Sequence, residues 1–242
     1  MLRSGHVDSF ARDNLPPRAL WPDLLFDRTT GLMYPDRLNA ATEFVDKWVA
    51  QGHGARVAIR APGGTWTYAE LKDRVDRIAR VLVEDMGLVP GNRVLLRGPN
   101  NPMMAALNFA VWKAGGVLIN TMPLLRAREL AYILDKARVR FAIGDARFLP
   151  DIEAAGRQAT LGTLEGIMAF NTDAAGSIDA LMVAKSGGTE PCDTAADDVA
   201  LIAFTSGTTG AAKGTMHFHR DLLAICDTTP RHVIMPSIDD VF

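Results

Sequence analysis

Residues 199–217 read VALIAFTSGTTGAAKGTMH. Six apolar residues, Val199 to Phe204, run into a segment dominated by glycine and hydroxyl side chains, and Lys213 stands just beyond it. The apolar run predicts a buried strand that feeds directly into a loop suited to a small anion. Glycines lack a Cβ, so successive backbone N–H groups can turn toward one anion. The hydroxyls of Thr205, Ser206, Thr208 and Thr209 add donors, and Lys213 adds a full positive charge. Two familiar nucleotide loops fail on spacing. A Walker A loop needs G-x-x-x-x-G-K-[ST], yet Gly210 lies three residues before Lys213 and Gly214 follows it. A dinucleotide fingerprint G-x-G-x-x-G is excluded because Gly207, Gly210 and Gly214 are spaced three and four apart. The same composition also suits a surface turn with an incidental lysine.

Upstream, strand and helix patterns alternate. LNAATEFVDKWVAQG places Leu38, Ala41, Phe44, Val45 and Trp48 at helical spacing, with Gly52 as a stop. RVAIRAPGGTWTYAEL reads as a hairpin whose second strand ends at Thr67, an N-cap with Glu70 three residues on. The helix that follows carries Leu71, Val75, Ile78, Ala79 and Leu82 along one face. NRVLLRGPN, GVLINTMP and VRFAIGDA read as strands, separated by the helical patterns NPMMAALNFAVWKAG and RARELAYILDKAR. This alternation predicts an α/β fold with a mostly parallel sheet flanked by helices. Residues 1–35, rich in Pro, Arg and Asp, are expected to form an irregular arm over the surface. Residues 151–198 are weaker in pattern, and KSGGTEPCDTAADD is expected to be a surface connection.

Composition narrows the class. The chain has 242 residues, nearly half of them hydrophobic, and a formal net charge of −2. That charge offers no broad attraction for nucleic acid or an anionic membrane. Cys192 and Cys226 fit neither a disulfide framework nor a metal spacing. The N-terminal residues lack the apolar core of a signal peptide. The most apolar region, residues 101–123, is interrupted by Asn108, Lys113 and a glycine pair, and reads as helix then strand instead of a membrane span. A cytoplasmic protein without membrane or nucleic-acid partners is therefore expected. His217 and His219 follow the loop where a helix is expected to start. They lack a third ligand at suitable spacing and are read as structural. Trp21, Trp48, Trp66 and Trp112 are read as core, and Asp239 and Asp240 as a polar turn.

TSGTTGAAKG resembles the phosphate-binding signature TSG[ST]TGxPKG of adenylate-forming enzymes, the acyl-CoA synthetase, luciferase and peptide-synthetase superfamily. Ala212 departs from it where proline is usual. The order of TWTYAELKDRVDRIARVL, GNRVLLRGPNNPMMAALNFAVWKAGGVLINTMPLL and ELAYILDKARVRFAI is similar to the N-terminal half of such enzymes. KGTMHFHRDLLAICDTTPRHV and YPDRLNAATEFVDKWV look closer to the benzoate- and 2-aminobenzoate-CoA ligase branch. The resemblance implies that residues 36–242 are the N-terminal part of an AMP-binding domain. It implies an aromatic carboxylic acid, ATP with Mg²⁺ and coenzyme A as the full-length enzyme's substrates and cofactors. Thr205, Ser206, Gly207, Thr208, Thr209 and Gly210 would wrap ATP phosphates, and Lys213 would lie near departing pyrophosphate. The family's adenine and acyl pockets and mobile C-terminal lysine come later in sequence than this loop. The expectation is thus an N-terminal piece, inactive alone and prone to self-association. The alternative is a non-catalytic product that binds a nucleotide phosphate or a protein partner.

Overall fold

The computed structural model describes residues 1–205 and 212–240. Among them are eight strands and seven α-helices, and from residue 57 to residue 145 they follow the predicted alternation. The arm contains a short helix, α1 (Phe10–Asp13), before helical turns at Thr42–Asp46 and Val49–His53. Gly52 breaks that helical stretch at φ +88°, a conformation that costs glycine little. The hairpin forms as β1 (Val57–Ala61) and β2 (Gly64–Thr67), antiparallel and separate from the main sheet. Thr67 then caps α2 (Tyr68–Arg80): its hydroxyl accepts from the Glu70 N–H at 3.2 Å, and the Glu70 carboxylate accepts from the Thr67 N–H at 2.8 Å. This is the reciprocal capping that the sequence predicts.

The remaining elements are β3 (Arg93–Arg97), α3 (Pro102–Lys113), β4 (Val117–Thr121), α4 (Ala127–Lys136), β5 (Phe141–Asp145), α5 (Leu149–Gln158), β6 (Gly166–Phe170), α6 (Ile178–Val183), β7 (Val199–Thr205), β8 (Lys213–Phe218) and α7 (His219–Asp227). The main sheet runs β6-β5-β3-β4-β7-β8, parallel throughout except for the antiparallel β7–β8 edge. Period-two alternation divides its core. Val94, Leu96, Leu118 and Ile143 meet Val75, Ile78, Leu107 and Val111 from α2 and α3 on one face. Leu95, Val117, Ile119 and Ala142 meet Leu130, Ile133, Leu134 and Ile152 from α4 and α5 on the other. Both faces are covered, which suits a parallel sheet with near-continuous apolar strands.

Three expectations are revised. The helix expected from about His217 begins only at His219, as α7, because His217 and Phe218 still belong to KGTMHF, which pairs with β7 from Val199↔Phe218 to Thr205↔Lys213. The GIMAF segment, in the weakly patterned region, is a strand at the opposite sheet edge. The stretch expected to be a surface connection is buried at its end, from Thr194 to Asp198. There the Asp198 carboxylate accepts from the backbone N–H of Gly5 at 2.7 Å and of Ala195 at 2.8 Å, while Asp197 accepts from Leu2 N–H at 3.0 Å. These bonds strap the largely irregular arm to the amino end of β7. Trp112 is buried and donates to the Ala200 carbonyl at 2.9 Å. Trp21, Trp48 and Trp66 are half-buried. Cys192 and Cys226 are free, and Asp239 pairs with Arg56 at 2.8 Å.

Candidate functional site

The carboxyl end of a parallel sheet is where α/β folds bind ligands, because the loops leaving the strands converge there. β7 lies beside β4 in parallel and carries Thr205 to that end; β8 returns from it antiparallel. Thr205 and Lys213 are therefore Cα partners across the last register position of the pair. Both side chains are exposed. Residues Ser206, Gly207, Thr208, Thr209 and Gly210, named above as phosphate-wrapping, lie outside the described residues. The two flanking residues named with them are brought together at the neck.

What holds the neck is uneven. The Thr205 hydroxyl reaches the Lys213 carbonyl at 3.4 Å, too long to fix it alone. Gly214 sits where a Cβ would stand 2.8 Å from Ile202 Cγ2 and 3.5 Å from the Phe204 ring, so β8 lies flush against its neighbours only because the position is glycine. On the α4 side, the Tyr132 hydroxyl donates to the Ala212 carbonyl at 3.0 Å. α4 is itself well anchored. The buried Arg97 guanidinium donates to the carbonyls of Met122, Pro123 and Leu125 at 2.9, 3.0 and 2.6 Å, gathering the approach to the helix. It also meets Asp151 at 3.0 Å.

Between α4 and the β7–β8 pair is a cavity of about 360 Å³. Phe10 and Asn14 of the arm, Tyr132 and Lys136 of α4, and Phe204 and Lys213 line it, and its lining includes no carboxylate. Two ammonium groups, for which the described residues supply no ion pair, make this the side of the neck that favours an anion. Another hollow, about 770 Å³, lies between β1 and residues 237–240, but there Arg56 is already paired with Asp239 at 2.8 Å. His219 is fully buried, with Nδ1 accepting from the Ala40 N–H at 3.2 Å. Burial drives its pKa down to about 3. It holds the base of β8 to the helical stretch at residue 40 and takes no part in the neck. Among the described residues no three or more His, Cys, Asp or Glu side chains gather to hold a metal ion. No helix among them is long and apolar enough to cross a membrane.

The profile of the AMP-binding enzyme family matches residues 46–242. The chain belongs to the AMP-binding enzyme family. Among curated relatives of this AMP-binding chain, the 4-hydroxybenzoate–CoA/benzoate–CoA ligase of Rhodopseudomonas palustris is 34% identical over 208 residues, which are 84% of this chain and 38% of the ligase. The anthranilate CoA ligase AuaEII in complex with anthranoyl-AMP superposes with a TM-score of 0.75 at 22% identity, over 83% of this chain and 38% of that one. At that identity the likeness speaks for the fold. ATP-bound MatB from Rhodopseudomonas palustris aligns at 29% identity and a TM-score of 0.70, over 80% of this chain and 37% of that one. The AMP-binding chain thus spans 38% of the length of the curated relative.

Tyr132, Lys136, Phe10 and Asn14 carry no motif, and sequence reading passed over them. Tyr132 lies 80 residues before the carbonyl it holds. Its only sequence signal is a hydroxyl on the polar side of an amphipathic helix.

Proposed function

We propose that this chain is the N-terminal part of an ATP-dependent, AMP-forming aromatic acid–CoA ligase. The observation that carries the reading is the neck. In a chain of the AMP-binding family, Thr205 and Lys213 pair across the strand ladder where β7 leaves the carboxyl end of a parallel sheet. In the proposed reaction a carboxylate attacks the α-phosphorus of ATP, the bond to the bridging oxygen breaks, and pyrophosphate leaves with its electron pair. Coenzyme A then displaces AMP from the acyl group. Lys213 is proposed to balance the charge that builds on pyrophosphate, and Thr205 to donate to a phosphate oxygen. Fixed donors of this kind lower a barrier because they are oriented before charge develops. The hydroxyl and ammonium of the neck suit phosphate oxygens and not a metal, so Mg²⁺ would arrive bound to the nucleotide.

Likeness at 34% identity to a 4-hydroxybenzoate–CoA/benzoate–CoA ligase supports the aromatic class. The test uses the whole enzyme. Pyrophosphate release should be faster with benzoate, 2-aminobenzoate or 4-hydroxybenzoate than with a straight-chain fatty acid, and the reverse order overturns the aromatic assignment. Lys213→Ala should slow benzoate-dependent pyrophosphate release by about 100-fold, the scale of losing one preorganised donor. Unchanged release would remove Lys213 from the reaction.

A further inference from the structure

The family reading places a lysine beside phosphates; it does not say what keeps that lysine in place in this chain. β8 is an edge strand whose sheet partner among the described residues is β7. Its first pair is Thr205↔Lys213, and the side-chain contact within that pair is the long 3.4 Å one. The second residue, Gly214, contributes no side chain to packing. The residue before β8, Ala212, stands where the loop signature it resembles has proline, so its backbone lacks the φ restriction of a pyrrolidine ring. Beyond the ladder to β7, backbone order at this point draws on a further contact.

α4 supplies a contact. Its apolar face is buried through Leu130, Ile133 and Leu134. Its approach is tied by Arg97, and the Glu129 carboxylate accepts from the Arg126 N–H at 3.0 Å. From this fixed helix the Tyr132 hydroxyl donates to the Ala212 carbonyl at 3.0 Å, within the good range. Lys213 is the next residue, and Tyr132, Lys136, Ala212 and Lys213 line one cavity.

We propose that Tyr132 is a positioning residue for the phosphate site: through the Ala212 carbonyl it ties the entry of β8 to α4 and so orients Lys213. It does not touch substrate. Its effect is to order a carbonyl whose backbone would otherwise sample several conformations until nucleotide binds. Because Lys213 is proposed to meet charge that builds on pyrophosphate, loss of that ordering falls on the ATP-dependent step, in nucleotide affinity and in release of pyrophosphate together, and leaves binding of the acid alone.

The inference rests on the proposed ligase activity, and its test separates the two. In the whole enzyme, Tyr132→Phe removes the hydroxyl and keeps the ring. kcat/KM for ATP should fall about fivefold, the weight of one neutral hydrogen bond, with the KM for the acid within about twofold of wild type. Hydrogen exchange at residues 212–216 should quicken by about the same factor, while exchange in α4 stays unchanged. Ala212→Pro in the Tyr132→Phe background should restore most of the kcat/KM for ATP, because the ring restricts what the hydroxyl no longer holds. A kcat/KM for ATP unmoved by Tyr132→Phe overturns the proposal. So does a parallel rise in both KM values with faster exchange in α4, which marks general loosening, and so does a failure of Ala212→Pro to rescue. If wild type shows no adenylation with any acid, the ligase reading fails. The exchange measurement then decides Tyr132 alone: unchanged exchange at 212–216 in Tyr132→Phe refutes the tie.

Discussion

His219 offers a quantitative check on how β8 is held at its far end from the phosphate site. The imidazole is fully buried where β8 meets α7, and its Nδ1 accepts from the Ala40 N–H at 3.2 Å. Protonation would set an N–H against that donor and place a charge in an apolar site. Burial is the main cause that pulls its pKa from 6.5 down to about 3; His6 lowers it further, and Asp198 opposes the shift. In the unfolded chain the same imidazole takes up a proton near pH 6.5. Between these values the unfolded state binds more protons than the folded one, so stability must fall as pH falls. Its contribution is complete above the unfolded value and is lost progressively as pH drops toward the folded one. From about pH 8 to about pH 5 the loss is about 2 kcal/mol, and this requires only that the folded value lie well below 5. Urea unfolding of wild type and His219→Gln at the two pH values measures it. The glutamine keeps an acceptor for Ala40 and does not titrate. Carboxylates and His6 titrate in both proteins and cancel in the comparison. Wild type should lose about 2 kcal/mol more than the variant between the two conditions. Equal losses would refute the assignment of a buried, neutral His219, whatever the variant's absolute stability.

Two further substitutions probe the frame around the site. Lys113→Ala takes its buried ammonium from the Asp46 and Asp76 carboxylates and leaves Lys72 at 2.6 Å from Asp76 and 3.7 Å from Asp46; it should cost about 1.5–3 kcal/mol, read by thermal unfolding, and a neutral result would mean that Lys72 alone satisfies both carboxylates. Gly214→Ala forces a Cβ to within 2.8 Å of Ile202 Cγ2. It should lower stability by about 1–3 kcal/mol, and an unchanged melting temperature would show that β8 shifts freely off β7.

Much of the frame was legible because it is written in local periodicity. Leu71, Val75, Ile78, Ala79 and Leu82 were read as one helix face, and each is buried. Thr67 and Glu70 are three residues apart, so their reciprocal cap follows from spacing alone. The anion-cradle composition of residues 205–210 and the lysine beyond it were likewise local, as was the failure of the two commoner nucleotide loops. Long-range pairing decided the rest. KGTMHF has no apolar alternation strong enough to declare a strand; it becomes one because β7 offers an unpaired edge. Lys113 looked like an interruption in an apolar run, and only the approach of Asp46 and Asp76 makes its burial tolerable. Asp198 reads as a polar linker residue until the arm's Gly5 N–H reaches it across 193 positions. Tyr132 reads as the polar side of a helix until α4 crosses beside Ala212. By itself the sequence determined helices α2, α3 and α4, the central strands and a loop suited to anions, since these depend on neighbours within a few residues. Tertiary structure alone decided which side chains hold the neck of that loop, because each such contact joins residues far apart in the chain and exists only once the sheet and its helices have packed.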